Sequence, residues 1–377
     1  MSKSSGLLAL ILAAAPLGAQ VPPFDSHQVN ADGSITFRFF APHAREVKLE
    51  LDYDHDHPIP LAKEQDGPLW SVTTGPLQPS LHTYVFDVNG ISLPDPLNLA
   101  VDNNYAFWAN LVWVHGKTPQ LWEANDVPHG VIHHHLYHSN VILGLEQGIE
   151  DFYVYTPPGY DPAGSKDYPV LYLLHGWSSG AAAWTANGQA NYILDNLIAQ
   201  GRVKPMVVVM PQGYGDMSFV LDGFAKITPS TLARNRDLYS QALLTEIMPQ
   251  VEAAYRVRKD PDGRAIAGLS MGGEESLIIG LRHPELFSWI GGFSSAVIYS
   301  SYDGLFSSPL AQSAAKLKLL WIACGTEDVL IGPNRNFIAW LRTQGLSPTA
   351  IETPGIHNWP VWRYDLIHFA PLLFGGP

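Results

Sequence analysis

At 377 residues the chain has length for about two domains, and with 46% hydrophobic and 15% charged residues it reads as globular rather than disordered or fibrous. Its formal charge of −13 argues against nucleic acid or an anionic membrane surface as a partner. The single cysteine, Cys324, excludes an internal disulfide framework and, in its strand-like apolar run, reads as a small buried hydrophobe.

Met1–Ala19 carries Lys3, an apolar run from Gly6 to Ala15 and Leu17-Gly18-Ala19 before Gln20. That is the pattern of a secretory signal peptide, so a secreted or periplasmic protein is expected. The apolar run is too short for a transmembrane helix, and no later stretch has the length and apolarity of one. Across residues 20–98 short alternating segments (SITFRFFAP, VKLELDY, LWSVTT, HTYVFDV) are divided by turn residues such as Asn30-Ala31-Asp32-Gly33. They predict a small antiparallel β-sandwich.

Residues 99–130, rich in Asn, Trp and Pro, read as a connector to VPHGVIHHHLYHSN. His133, His134, His135 and His138 there invite a metal reading. Adjacent residues of a strand point to opposite faces, however, and an alternate pair lacks the further ligands zinc requires, so a polar surface strand is expected and no metal. From Asp151 the pattern alternates between strands (FYVYT, VLYLL, MVVVM, KLLWIA) and helices (ANYILDNLIAQ, LYSQALLTEIMPQVEAAY, RNFIAWLRTQ). This is the signature of the α/β class, a mainly parallel sheet with helices on both faces, and it makes residues 131–377 one catalytic domain.

Within that domain RAIAGLSMGG (Arg264–Gly273) carries an apolar strand into G-x-S-x-G and then a helix, EESLIIGLRH. Such a strand–turn–helix is a nucleophile elbow, which lifts the hydroxyl of Ser270 above the sheet at a helix N-terminus. A serine needs a base, and the base an acid to orient it. His357, in the Gly/Pro-rich loop TPGIHNW, is the candidate base; His283 ends the helix that follows Ser270 and cannot reach back, and His368 lies in a helix-like tail. Glu327 and Asp328 both follow the strand KLLWIA, and either carboxylate could orient an imidazole. In this fold the oxyanion is held by the amide after the nucleophile, here Met271, and by one after an early strand, assigned to Trp177 in LHGW. No cofactor is required.

Two stretches carry family resemblances. DGSITFRFFAPHAREVKLEL and YVFDVNGISLPDPLN resemble the early-set sandwich at the N-terminus of isoamylase-type enzymes and glycogen-binding modules, which implies a possible carbohydrate-binding module. In that reading exposed Trp70, Tyr84 or Trp108 would stack on sugar rings, while large aromatics more commonly fill a core or an interface. YTPPGYD, YPVLYLLHGWSSGAAAW, KPMVVVMPQG, RAIAGLSMGG, KLKLLWIACGTEDVLIG and HNWPVWR together resemble the esterase-D-like α/β-hydrolases, and especially carbohydrate esterase family one, with its feruloyl and acetylxylan esterases. The resemblance implies a triad of Ser270, Asp328 and His357, with Asp328 chosen over Glu327 because the family's acid is the aspartate of GT-x-D. It further implies a serine esterase acting on feruloylated or acetylated polysaccharide, with feruloyl esters of arabinoxylan expected first. Acetylxylan or general carboxylesterase activity is the alternative, an enterochelin-type esterase the next, and a vestigial esterase that only binds carbohydrate the non-enzymatic one. Trp177, Trp184, Trp359 and Trp362, near the motif loops, are the expected walls of an aromatic acyl pocket. Glu274-Glu275, directly after the elbow, depart from the family pattern and put two carboxylates beside the expected site.

Overall fold

In Ile35–Phe40 and Val47–Leu51 the two-residue period of a strand turns Ile35, Phe37, Val47 and Leu49 to one side, where each is almost wholly buried. The computed structural model describes residues 23–375 except 66, 103, 307–309 and 311–314; the expected signal peptide, Met1–Ala19, lies outside the described residues. The inward residues join two sheets into a sandwich. One sheet runs His27–Val29, Ile35–Phe40, Leu69–Thr73, Ala62–Lys63. The other is built on Ser80–Val88, flanked by Val47–Leu51 and Ala109–Val114.

The sandwich extends past residue 98, into the expected connector. Ala109–Val114 is a full antiparallel partner of Ser80–Val88, in register from Asn110 opposite Tyr84 to Val114 opposite Ser80. Its near-continuous burial, with Val112 and Val114 in the sandwich core, erases the alternation that would have marked it as a strand. Two of the three aromatics considered for sugar stacking also lie inside this core. The Trp70 indole N–H donates to the Ala41 carbonyl at 2.9 Å and the Tyr84 hydroxyl donates to Asp95 at 2.6 Å. Only Trp108, 71% exposed, stands in solvent.

The second domain is an eight-stranded sheet. In chain order its strands are β1 (Val131–His138), β2 (Ile149–Thr156), β3 (Val170–Leu174), β4 (Val207–Pro211), β5 (Arg264–Leu269), β6 (Trp289–Phe293), β7 (Leu319–Gly325) and β8 (Thr349–Thr353). They are arranged β1-β2-β4-β3-β5-β6-β7-β8, antiparallel at β1-β2 and β2-β4 and parallel elsewhere. VLYLL and VVVMP are buried along their whole length, as strands covered on both faces must be. Helices α1 (Ala190–Ala199) and α5 (Trp359–Phe369) cover one face, and α2 (Pro229–Ala242), α3 (Ser270–Arg282) and α4 (Ile331–Thr343) the other. Cys324 is buried in β7. The histidines of β1 alternate between partners: His134 meets Asp151 at 2.7 Å and His135 meets the Tyr255 hydroxyl at 2.5 Å. Among the described residues no group of His, Cys, Asp or Glu is arranged to hold a metal.

Buried contacts join the two domains. Leu81 and Leu111 of the sandwich and Trp122 of the connector belong to the same apolar cluster as α1 and α5. Arg363 of α5 reaches from the hydrolase side into the sandwich. Its guanidinium donates to the Ser80 hydroxyl at 2.6 Å, the Leu81 carbonyl at 2.8 Å and the Asn187 carbonyl at 2.6 Å.

Candidate active site

β5 ends at Leu269 and α3 begins at Ser270, with no residue to spare for a loop. The chain makes that turn by placing Ser270 at φ 53°, in the left-handed region a side chain enters only under constraint. The flanking glycines allow it. A Cβ on Gly268 would lie 2.5 Å from the Gly272 carbonyl oxygen, and one on Gly272 would lie 2.3 Å from the His175 carbonyl oxygen. A methyl group at either position would push β5, α3 and the loop after β3 apart.

The structure brings Ser270, His357 and Asp328 together. His357, between β8 and α5, has Nε2 3.0 Å from the Ser270 hydroxyl, and its Nδ1 lies 2.8 Å from Asp328 Oδ2. Asn358 fixes the start of α5 by accepting from the Val361 N–H, which anchors the loop that carries the imidazole. Asp328 has a fully buried side chain and also accepts from the Leu330 N–H at 2.8 Å. Burial pushes its carboxyl up, but the hydrogen bond and charge of His357 outweigh this and hold it below the usual carboxylate value. Glu327, its neighbour, points to solvent. The other two candidate histidines have partners of their own: His283 meets Glu285 and His368 the Tyr364 carbonyl.

Met271 is the second residue of α3, so its N–H has no partner within the helix. The loop after β3 lies against the serine, since a Cβ on Gly176 would fall 3.2 Å from Ser270 Cβ. That places the Trp177 backbone beside Ser270. His175 braces this loop from within: it is buried, its Nδ1 meets the Gly176 carbonyl at 2.8 Å, and its Nε2 accepts from the Gly213 N–H at 2.9 Å. Burial lowers its pKa and keeps it neutral.

Over Ser270 lies a cavity of about 150 Å³. Trp177, Trp359 and Trp362 line it, the last also packing edge-on against His357 with ring centres 4.9 Å apart. Trp184 does not line it, contrary to expectation. It is fully buried, donates its indole N–H to the Leu174 carbonyl at 2.9 Å and packs edge-on against Trp359. Its place is the core behind the wall.

The opposite wall comes from the sandwich: Tyr53, His55, Asn104 and Phe107. Tyr53 follows Asp52 in a turn where both residues have positive φ. Asp52 anchors that turn by accepting from the Thr83 N–H at 3.0 Å and pairing with His82 at 2.7 Å, and the Tyr53 hydroxyl donates to Asp102. Phe107 bridges the domains, edge-on to Trp177 with ring centres 6.0 Å apart and 6.3 Å from Tyr53. Sequence reasoning missed these four residues. They carry no local motif, and only the docking of two domains brings them to Ser270.

Glu274 and Glu275 turn away from the cavity into the protein. Glu274 is paired with Arg236 at 2.9 Å and accepts from the Tyr299 hydroxyl; Glu275 accepts from Asn235 at 3.1 Å. Burial, with the charge of Glu274 beside it, raises Glu275 well above the ordinary carboxylate value.

A family model described as "Putative esterase" matches residues 149–373, and one described as carbohydrate-binding module 48 (isoamylase N-terminal domain) matches residues 16–106. Among curated proteins, an endo-1,4-beta-xylanase/feruloyl esterase of Xylanibacter ruminicola is 29% identical over 92% of this chain. This chain spans only 45% of that protein's length. An acetyl esterase of Caldicellulosiruptor saccharolyticus is 23% identical over 53% of this chain and 80% of its own. Among solved structures, a CE1 ferulic acid esterase of Anaeromyces mucronatus superposes with TM-score 0.58 at 24% identity, covering 68% of this chain and 96% of its own. The enterochelin esterase of Shigella flexneri superposes with TM-score 0.64 at 16% identity, covering 93% and 95%. The likeness to these two structures is one of fold.

Proposed function

This chain belongs to the esterase family and is a carboxylic ester hydrolase; from that premise we propose that it cleaves feruloyl esters of plant xylan, with Ser270, His357 and Asp328 as its catalytic triad. The observation that carries the substrate class is the aromatic cavity over Ser270. Tyr53, Phe107, Trp177, Trp359 and Trp362 supply flat apolar walls that suit a planar hydroxycinnamoyl group. The cavity lining holds no Lys or Arg, which disfavours an anionic, iron-chelating ester. The xylanase/feruloyl esterase relative points the same way, and the Met1–Ala19 pattern suits an exported enzyme that meets plant polymers outside the cell.

The distances support the following chemistry. Ser270 Oγ attacks the ester carbonyl carbon while its proton passes to His357 Nε2, 3.0 Å away. The carbonyl π electrons move to oxygen, and the Met271 and Trp177 amides hold that oxyanion; one such donor contributes roughly 3–4 kcal/mol to the barrier reduction. Asp328 accepts the Nδ1–H, which fixes the imidazole tautomer and stabilises the imidazolium. Collapse breaks the bond to the sugar oxygen, which leaves with the proton from His357 and generates the acyl-enzyme. Water, deprotonated by His357, then attacks the acyl carbon, and the serine recovers its proton as the carboxylic acid departs.

Initial rates on methyl ferulate and on p-nitrophenyl acetate, each with Ser270→Ala as control, test this reading. A higher kcat/KM on ferulate that is lost in the control is expected. Turnover of acetate alone would move the assignment to an acetyl or general esterase, and undiminished activity of Ser270→Ala would refute the triad.

A further inference from the structure

Behind the triad lies a carboxyl group that the reaction steps do not use. Asp365 of α5 is wholly buried, one helical turn beyond Trp362, whose ring packs edge-on against His357. Its Oδ1 accepts from the Thr353 hydroxyl at 2.7 Å, and its Oδ2 has no partner among the described residues. No Lys, Arg or His of those residues bonds to it. Arg363, on the same helix, sends its guanidinium to Ser80, Leu81 and Asn187 instead.

Thr353, the residue that Asp365 holds, stands where two loops of the triad leave the sheet. It ends β8 directly opposite Gly325 at the end of β7, so the loops carrying His357 and Asp328 start side by side. The Thr353 carbonyl accepts from the Thr326 N–H at 2.8 Å, and the Gly355 carbonyl from the Glu327 N–H at 3.0 Å. Packing there leaves no slack. A Cβ on Gly325 would lie 2.4 Å from the Gly355 carbonyl oxygen, and one on Gly355 would lie 2.7 Å from Cγ2 of Val361 in α5. The Asp365–Thr353 bond therefore fastens α5 to the common root of both loops.

A carboxylate anion asks for several donors, and this site supplies one; the neutral acid suits it better. Two ionisable groups face it. Cys324, within β7, is a thiol that burial pushes up to about 12. Asp328, in the loop after β7, already has His357 and the Leu330 N–H to stabilise its charge, so of the two carboxyls Asp328 is the anion and Asp365 keeps the proton. Burial pushes Asp365 up to about 7; the Thr353 hydrogen bond opposes this and the charge of Asp328 adds to it. Because that value lies above the ordinary one for aspartate, the folded site favours the proton, and this contribution is lost as pH rises through about 7.

We propose that Asp365 is a positioning residue for ester hydrolysis: as a neutral acid it holds, through Thr353, the loops that bring His357 to Ser270 and Asp328, and its ionisation loosens them and slows the chemistry. A second anion there faces Asp328 with one donor to hold it, and the strain falls on the Thr353 tie. The inference rests on the triad reading above and on no particular acyl group.

The test follows kcat on p-nitrophenyl acetate from about pH 5 to about pH 9 for the unsubstituted chain, Asp365→Asn and Thr353→Val, with Ser270→Ala as background. Asp365→Asn still accepts from Thr353 and cannot ionise. It is expected to match the unsubstituted chain within about twofold at about pH 5.5 and to stay level at alkaline pH, where the unsubstituted chain loses about tenfold. Thr353→Val, which severs the tie from the other side, is expected to lower kcat about tenfold with KM unchanged. Coincident pH profiles for the unsubstituted chain and Asp365→Asn, or an unaltered kcat in Thr353→Val, overturn the proposal. Should Asp365→Asn fail to fold, the split between kcat and KM in Thr353→Val decides. Undiminished turnover by Ser270→Ala would instead refute the triad, so the two readings fail separately.

Discussion

Ser270, Asp328 and His357 follow the ends of three parallel strands of one sheet, β5, β7 and β8, whereas Tyr53, His55 and Phe107, across the cavity, stand on loops of a separate sandwich. The first group is held by a tight turn, a helix cap and short hydrogen bonds within a single domain. The second is placed by the Asp52 turn and, at longer range, by Arg363 and the shared apolar cluster at the domain seam. The contrast separates two tasks. In the proposed reading the bond-making groups demand sub-ångström placement and sit on the rigid sheet, while the part of the cavity wall that Tyr53 and Phe107 form tolerates a looser mounting and comes from the attached module.

Changes on the two sides are therefore expected to produce different kinds of loss. On the sheet side, Ser270→Ala lowers kcat by at least about 10,000-fold with little change in thermal stability, measured by single-turnover rates and calorimetry. Asp328→Asn, which accepts poorly from Nδ1–H and favours the wrong tautomer, lowers kcat by about 1,000- to 10,000-fold. A loss shared by every ester is the signature of this side. At the seam, Arg363→Ala leaves the Ser80 hydroxyl and the carbonyls of Leu81 and Asn187 without their donor and opens a void, a cost of about 3 kcal/mol in unfolding free energy by chemical denaturation. Activity on ferulate is expected to fall more than activity on acetate, because the seam mounts the acyl wall. The smallest effect is on that wall. Phe107→Ala lowers kcat/KM on methyl ferulate about tenfold more than on p-nitrophenyl acetate, the scale of one lost aromatic contact. If Phe107→Ala lowered both equally, the division between chemistry and selection would collapse.

The same contrast explains what could be read from the sequence. The elbow is contiguous in the chain, and its strand, glycines and helix are all local signals, so Ser270 was visible at once. His357 and Asp328 are reachable because loop position restricts the candidates, although the choice of Asp328 over Glu327 comes from resemblance and not from spacing. Trp184 shows the limit. It sits near the right motif, as Trp177 does, yet its face turns into the core, and burial is set by packing across the sheet rather than by neighbours in sequence. Ala109–Val114 reads as connector because a strand buried along nearly its whole length loses its alternation. Tyr53 and Phe107 had no sequence signal: each is an ordinary loop aromatic until two domains dock, and the contacts that dock them, such as Arg363 to Ser80, span 283 residues.

A crystal structure of Ser270→Ala with bound ferulate would test the central claim most directly, that the two domains together form an acyl pocket on the nucleophile. The expected result is an aromatic ring in the cavity between Phe107 and the Trp359 and Trp362 walls, with a carboxylate oxygen at the Met271 and Trp177 amides. Ferulate bound outside that cavity, or with no contact to the sandwich, would contradict it.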